Sequence, residues 1–497
     1  MKMNAYELKN TRELCWDMRI LDKVDNVALT IHKPERRGFV LDGADTSWEE
    51  YIGYPAVMKV GDTYRLYYQA RAHITKGDTA SQTKKEMYCV AFSKDGKHFE
   101  RPNLNKIEFH GTKNNNIMVL EDRFIDNFTI HYDENPDCPP DEKFKALSLL
   151  FHIPPKKTED GGDLYTELLY YKSADGIDFE YVGVLDVPGV FDTYNVVFWD
   201  KKCSEYKMYI RDFHNADGSR STYAPVAAME LAYRDVRITT SKDFVHWTAP
   251  ELITFEDGNI HIQLYAGMIS QYKRGNMFLA LPTRYNNRPD DKESLDALPQ
   301  WGGLRKEWNE AKNRGGSVAN DTGIMTSRDG RHFDRWDGAF MTTGIERPDN
   351  WAYGNGYIAF APVETDSDFD GDVKELSLYR VEGHNVTSPK ILRYALRLDG
   401  FYSWHAPYSG GCVITKPVTF EGDSLEINFA TSSLGHVRIY ICDEDGNPIE
   451  GYDSKKHFGD SLGRNIKFEK PLSALAGKTV RLKFEIKDAD LYAFKFN

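Results

Sequence analysis

Acidic side chains that open an apolar, alternating stretch are few in this chain. Glu49 and Glu50 precede Tyr51-Ile-Gly-Tyr-Pro-Ala-Val57, Asp126-Asn127 opens Phe-Thr-Ile-His-Tyr132, and Asp192 leads through Thr-Tyr into Asn195-Val-Val-Phe-Trp199. Carboxylates delivered to one place by separate strands can divide acid–base work, one held protonated and the other ionised by its surroundings. Asp126-Asn127 and Asp192-x-x-Asn195 also couple each acid to an amide, a group able to orient a carboxylate by hydrogen bonding. Glu49, Asp126 and Asp192 are therefore the candidate catalytic set. The competing reading for each is an acid satisfied within a turn or at a strand edge.

Groups suited to a hydroxyl-rich ligand recur at comparable positions. Arg71 and His73 follow one hairpin, Arg211-Asp212 a second and Arg284 a third, while His261 and Gln263 precede the strand that begins at Leu264. With Asn195 they form the expected binding set, the alternative for each arginine being a salt bridge at the rim. Trp351 and Tyr353 offer flat faces for stacking, and core packing is the alternative use of such rings.

Four copies of one phrase indicate what must position these residues. Ser93-Lys-Asp95-Gly96-Lys-His-Phe99, Ser173-Ala-Asp175-Gly176-Ile-Asp-Phe179, Ser241-Lys-Asp243-Phe-Val-His-Trp247 and Ser327-Arg-Asp329-Gly330-Arg-His-Phe333 all read S-x-D-x-x-x-aromatic. Each is a tight turn in which Asp bonds the backbone two residues on and Gly takes positive φ. Hairpins with period-two patterning precede them, as in Tyr54–Val60 followed by Gly61–Tyr68. A fifth unit, Gly354–Phe360 followed by Glu375–Arg380, lacks the Asp turn. The expected fold is all-β: a five-bladed β-propeller over residues 1–387, closed by residues before about 50, followed by a C-terminal β-sandwich over 388–497. Residues 288–320, where Lys292–Leu298 and Leu304–Ala311 have helical periodicity, read as a partly helical insertion.

Composition narrows the classes. At 497 residues, 41% hydrophobic and 13% aromatic, with 38 glycines, the chain can bury a large core. No apolar run reaches membrane-spanning length and the first residues lack a signal-peptide core, so a cytoplasmic location is expected. The six cysteines are isolated and read as free thiols. A net charge of −13 without a basic stripe argues against nucleic acid or an anionic membrane as partner. Asp366-Ser-Asp368-Phe-Asp370-Gly371 begins like a calcium loop, but Ser377 stands where its bidentate Glu belongs, so it reads as a solvated acidic turn.

The S-x-D-G turns, the Tyr64-Arg-Leu-Tyr-Tyr68 strand and the C-terminal strands together resemble the superfamily of β-fructosidases, arabinanases, xylosidases and mannoside phosphorylases. Trp48-Glu49, Phe191–Asp200 and Leu398-Asp-Gly-Phe401 are similar to a bacterial group known as glycosidase-like. The resemblance implies a glycoside hydrolase that cleaves an oligosaccharide with paired carboxylates in an axial pocket, without a redox cofactor. The chain departs from these families at the acids: W-x-N-D-P-N-G is absent, and Gly53-Tyr54 stands where arabinanase-like enzymes place Asp before Pro55. Two alternatives stay open. One is a glycoside phosphorylase that holds phosphate with Arg71, Arg211 and Arg284; the other is a non-catalytic carbohydrate-binding propeller.

Overall fold

The computed structural model describes residues 5–72, 86–109, 111–121, 125–157, 163–221, 232–286, 292–300, 303, 305–306, 319–347, 350–351, 356–369, 371–383 and 389–497. His73, Tyr353, Asp370 and most of 288–320 lie outside them; the short helix Lys292–Ala297 is the described part of the helical stretch. The described chain is nearly all β, and none of its helices is long and apolar enough to cross a membrane. It divides into two compact units, one of Pro34–Ser270 and Phe278–Ala395, the other of Met1–Lys33, Gln271–Met277 and Leu396–Asn497.

The larger unit contains antiparallel sheets in chain order. The first is Tyr51–Val60, Thr63–Arg71, Glu86–Ser93 and Ile117–Glu121; the second is Ile125–Tyr132, Phe144–Lys157, Asp163–Ser173 and Glu180–Leu185. The third is Val196–Asp200, Glu205–His214, Tyr233–Ser241 and Glu251–Leu252. The fourth is broken across its middle, so that Leu264–Ala266, Thr283–Asn286 and Ala319–Thr322 form one part and Ile269–Gln271, Phe278–Ala280, Met325–Ser327 and His332–Arg335 the other. In the fifth, Val363–Asp366, Lys374–Glu382 and Lys390–Arg397 are joined by Glu35–Asp42 from the N-terminal region.

The repeated turns form as their residues require. Ser Oγ accepts from the backbone three residues on at 2.9 Å in all four copies, and Asp Oδ1 accepts from the residues two and three further on. The fourth residue lies at φ 73, 76, 68 and 77° for Gly96, Gly176, Phe244 and Gly330. Each packs on the preceding sheet: Tyr379 of the fifth donates to the Gly96 carbonyl, and Tyr209 of the third to that of Gly330. A Cβ on Gly176 would lie 2.5 Å from the Tyr67 hydroxyl of the first sheet. Phe244, which replaces glycine, inserts its ring against Tyr170 of the second sheet at 4.7 Å. First on fifth, second on first, third on second and fourth on third, with Thr322 of the fourth donating to the carbonyl of Gly356, which leads into the bridge from Ile358 to Arg380 of the fifth, make a cyclic order.

The smaller unit is built around Leu425–Cys442 and Arg481–Phe496, with Gly411–Thr415, Tyr402–Ala406, Leu21–Asp25 and Ala28–Ile31 in the same sheet system. Val437, Ile439 and Ile441 alternate into one core with Leu482, Phe484 and Ile486. Two segments differ from expectation. Residues 391–396, read with the C-terminal strands, instead run in the fifth sheet, because alternation marks a strand without naming its partner. Residues 21–31, read with the repeats, pair with the C-terminal strands.

Candidate active site

The first sheet gathers titratable side chains on one of its faces. Successive residues of a strand point to opposite sides. On Thr63–Arg71, Gln69 and Arg71 share a side, and across from them Glu86 and Tyr88 rise from the next strand. Gln69 Nε2 donates to Asp126 Oδ1 at 3.0 Å, Arg71 Nη2 meets Glu86 Oε1 at 2.5 Å, and the Tyr88 hydroxyl donates to Glu86 Oε2 at 3.3 Å. The Asn127 amide also donates to Asp126 Oδ1, at 2.8 Å, and the Arg71 guanidinium lies 4.3 Å from the centre of the Tyr51 ring.

Glu86 and Asp126 stand close enough for the Asp126 carboxyl to act on Glu86, and two carboxyl groups so placed favour holding one proton between them. Burial raises the Glu86 carboxyl well above its ordinary range, the Asp126 charge raises it further, and Arg71 opposes both. Glu86 is 4% exposed, whereas Asp126 is half-buried, so Asp126 is the more accessible member of the pair. Burial likewise holds the Tyr51 and Tyr88 phenols above their ordinary range, and the Tyr265 phenol of the fourth sheet is close enough to act on Tyr51.

Glu49 is not part of this cluster, contrary to the sequence reading. Tyr68, next to Gln69 and on the other side of the sheet, donates to Glu49 Oε1 at 2.6 Å, and Arg101 clamps both carboxylate oxygens at 2.6–3.1 Å. Arg101 also donates to the Asp42 carbonyl at 2.7 Å, and Asn116 to the Tyr68 hydroxyl at 2.7 Å. The carboxylate is fully buried and its oxygens are engaged. This arrangement suits a structural ion pair.

Asp192 sits half-buried on a turn whose shape is set by Asn195. The Asn195 amide donates to the carbonyls of Phe191 and Thr193, on either side of Asp192, at 2.9 and 3.0 Å, and its Oδ1 accepts from Arg211 N at 3.0 Å. Phe191 takes φ 60°, a conformation that these bonds hold. Asn195 is thus spent on the backbone. Its own carbonyl accepts from Thr129 Oγ1 at 3.0 Å and from His131 Nε2 at 3.1 Å. Burial lowers His131 to about 3, which keeps the ring neutral. Asp126 and Asp192 each precede that Thr129–Asn195 contact by three residues. Arg211 donates from Nη1 to the Tyr265 carbonyl at 2.9 Å, and Glu86, Asp126 and Tyr265 all act on Tyr51.

His261, Gln263 and Arg284 line one cavity of about 460 Å³ with Tyr233, Tyr285 and Trp336. Arg284 is bound in a two-point fork to Asp321 at 2.6 and 2.8 Å. Trp351 donates from Nε1 to the Gly344 carbonyl at 3.1 Å, and its carbonyl accepts from Arg305. In the acidic turn, Asp366 pairs with Lys374 and Asp368 with Lys97. Glu86, Gln69, Tyr51 and Tyr88 were not singled out from sequence, where only first strands of repeats were searched for acids. The available signal was Glu86 at the head of Met-Tyr-Cys-Val-Ala, a third strand.

The chain matches no protein-family model and no curated protein. Solved structures similar to it include a glycosyl hydrolase from Bacteroides ovatus, at 14% identity over 78% of this chain and 96% of that one, TM-score 0.38. A glycoside hydrolase family 43 arabinoxylan arabinofuranohydrolase from Bacillus subtilis, in complex with cellotetraose, is 10% identical over 90% of this chain and 96% of that one, TM-score 0.37. A GH32 β-fructofuranosidase from Bombyx mori is 9% identical over 94% and 95%, TM-score 0.41. They belong to the group that the turn motifs resemble.

Proposed function

We propose that this protein is a glycoside hydrolase acting on an oligosaccharide, and that its five sheets are the blades of a five-bladed β-propeller followed by a β-sandwich. The cyclic packing of the Asp turns and the closure of the fifth sheet by Glu35–Asp42 support the propeller. The observation that carries the activity is the closeness of the Glu86 and Asp126 carboxyl groups, with Arg71 on Glu86 and Gln69 on Asp126.

In this reading the pair holds one proton in common and delivers it from the Asp126 side to the glycosidic oxygen as the bond to the anomeric carbon breaks. Arg71, already against Glu86, stabilises the negative charge left on the pair. Asp192 is the facing carboxylate. It attacks the anomeric carbon if about 5–5.5 Å separates it from the acid, or activates water if about 6.5–9.5 Å does. Against the phosphorylase alternative stand the contacts of Arg71, Arg211 and Arg284 with Glu86, the Tyr265 carbonyl and Asp321. Glu49 has a structural role.

The test is a screen of aryl glycosides and short oligosaccharides with and without phosphate, repeated with Asp192→Asn. Turnover without phosphate is expected, with kcat lowered by a factor on the order of 10²–10⁴ in the variant and the melting temperature unchanged. Turnover that depends on phosphate, or an active Asp192→Asn enzyme, contradicts the reading.

A further inference from the structure

The segment before the fourth sheet, Asn259-Ile-His-Ile-Gln263, alternates polar and apolar residues, and the structure uses that alternation. Ile260 and Ile262 line a small crevice with Val236, Ile253 and Phe255, and Ile262 also reaches the edge of the larger cavity. Asn259, His261 and Gln263 face this 460 Å³ cavity. Their hydrogen-bonding capacity is only partly used among the described residues. Gln263 Oε1 accepts from Arg234 at 2.8 Å and Asn259 Oδ1 accepts from the His261 amide at 2.9 Å, so Gln263 Nε2, Asn259 Nδ2 and the His261 ring are left for a ligand.

The charges around the cavity cancel locally. Arg284 is forked onto Asp321, and Arg335 is paired with both Asp257 and Asp337, so among the described lining residues no cation is left over to hold a phosphate or a carboxylate. Trp336 adds an aromatic surface that is 43% exposed. Its position depends on Gly338, where a Cβ would lie 2.5 Å from the indole Nε1. Side-chain donors beside an indole, with ion pairs internally satisfied, suit a neutral polyol; the volume lies within the roughly 300–1,000 Å³ usual for small-ligand sites.

We propose that this cavity binds an uncharged sugar unit, as a subsite for a distal residue of an oligosaccharide. Its link to the carboxyl pair is aromatic: Tyr285 lines the cavity and stacks on Tyr265 at 6.1 Å, and Tyr265 borders Tyr51. The assignment of the ligand to a substrate rests on the hydrolase reading, whereas its neutrality rests on the cavity alone.

Calorimetric titration of the full chain carrying Asp192→Asn, with xylotetraose, arabinotetraose, mannotetraose and cellotetraose as probes, tests this. Inorganic phosphate and trigalacturonate serve as charged controls. At least one neutral probe should bind, and Gln263→Ala, Trp336→Ala and Gly338→Ala should each weaken it by about tenfold with unchanged melting temperature. Gly338→Ala keeps the indole and displaces it, which separates position from bulk. The proposal is overturned if no neutral probe binds, if the charged controls bind more tightly, or if all three variants bind like their parent. Binding by the variant together with no turnover by the wild-type chain on any glycoside of the screen would remove the hydrolase reading and leave the neutral site standing.

Discussion

Two carboxyl groups as close as Glu86 and Asp126 ionise together only at an electrostatic penalty, and burial of Glu86 adds to it. The same elements of chemistry appear at Glu49 with the opposite consequence. There a buried carboxylate meets a guanidinium and a phenol rather than a second acid, so the side chain is tied down instead of poised. Glu49→Gln should therefore lower stability by about 3–5 kcal/mol, because Arg101 loses its partner, while activity per folded molecule is unchanged. Urea unfolding together with kcat measures both; a stable but inactive variant would return Glu49 to the catalytic set. At this scale the sequence identified an acid at the head of a strand but not which side of the sheet it would occupy. Tyr68 and Gln69 are neighbours in sequence, yet one holds Glu49 and the other Asp126.

At the scale of elements, the Asp turns were the most legible feature, since Ser, Asp and Gly in that order specify their own hydrogen bonds. Phe244 breaks the pattern and carries a prediction. It sits at φ 68°, where a side chain costs about 1–2 kcal/mol, and it is held there by burial against Tyr170 and Tyr206. Phe244→Ala should cost about 3–5 kcal/mol through the cavity it leaves. Phe244→Gly should cost less than Phe244→Ala, although glycine removes more side chain, because it releases the backbone strain. Thermal unfolding of the two variants decides this, and the usual order with Ala the more stable would show that the strain is negligible. The strand Lys390–Arg397 was harder to assign, because its apolar alternation fits either a last repeat or a first C-terminal strand. Its pairing with Glu35–Asp42, more than 300 residues away in sequence, is a contact that no local pattern encodes.

At the scale of the whole chain, segments distant in sequence are gathered into one unit by a buried charge. Asp399 accepts from Tyr272 and Arg274 at 2.9 and 2.8 Å and from Asn428 at 3.1 Å, with Arg12 at 3.6 Å, so the hairpin 271–277 and both ends of the chain share one carboxylate. Asp399→Ala takes from Arg274 its forked carboxylate and from Arg12 the second of two, Glu426 remaining at 2.8 Å, and should cost about 3–5 kcal/mol in denaturant unfolding; a loss within about 0.5 kcal/mol would mean that the network is incidental. The resemblance in sequence covered the architecture but stopped at the acids, where the family motifs are absent, and the Glu86–Asp126 pair emerges only when the first and second sheets are assembled. The central claim is that this pair shares the catalytic proton, and the pH dependence of kcat/KM for Glu86→Gln against wild type tests it most directly. Glutamine keeps a donor toward Asp126 but stores no proton, and a donor favours the ionised carboxylate. The variant should therefore lose activity at lower pH than wild type, its alkaline limb displaced to lower pH by more than about one unit. An alkaline limb in the same place as that of the wild type would contradict the account.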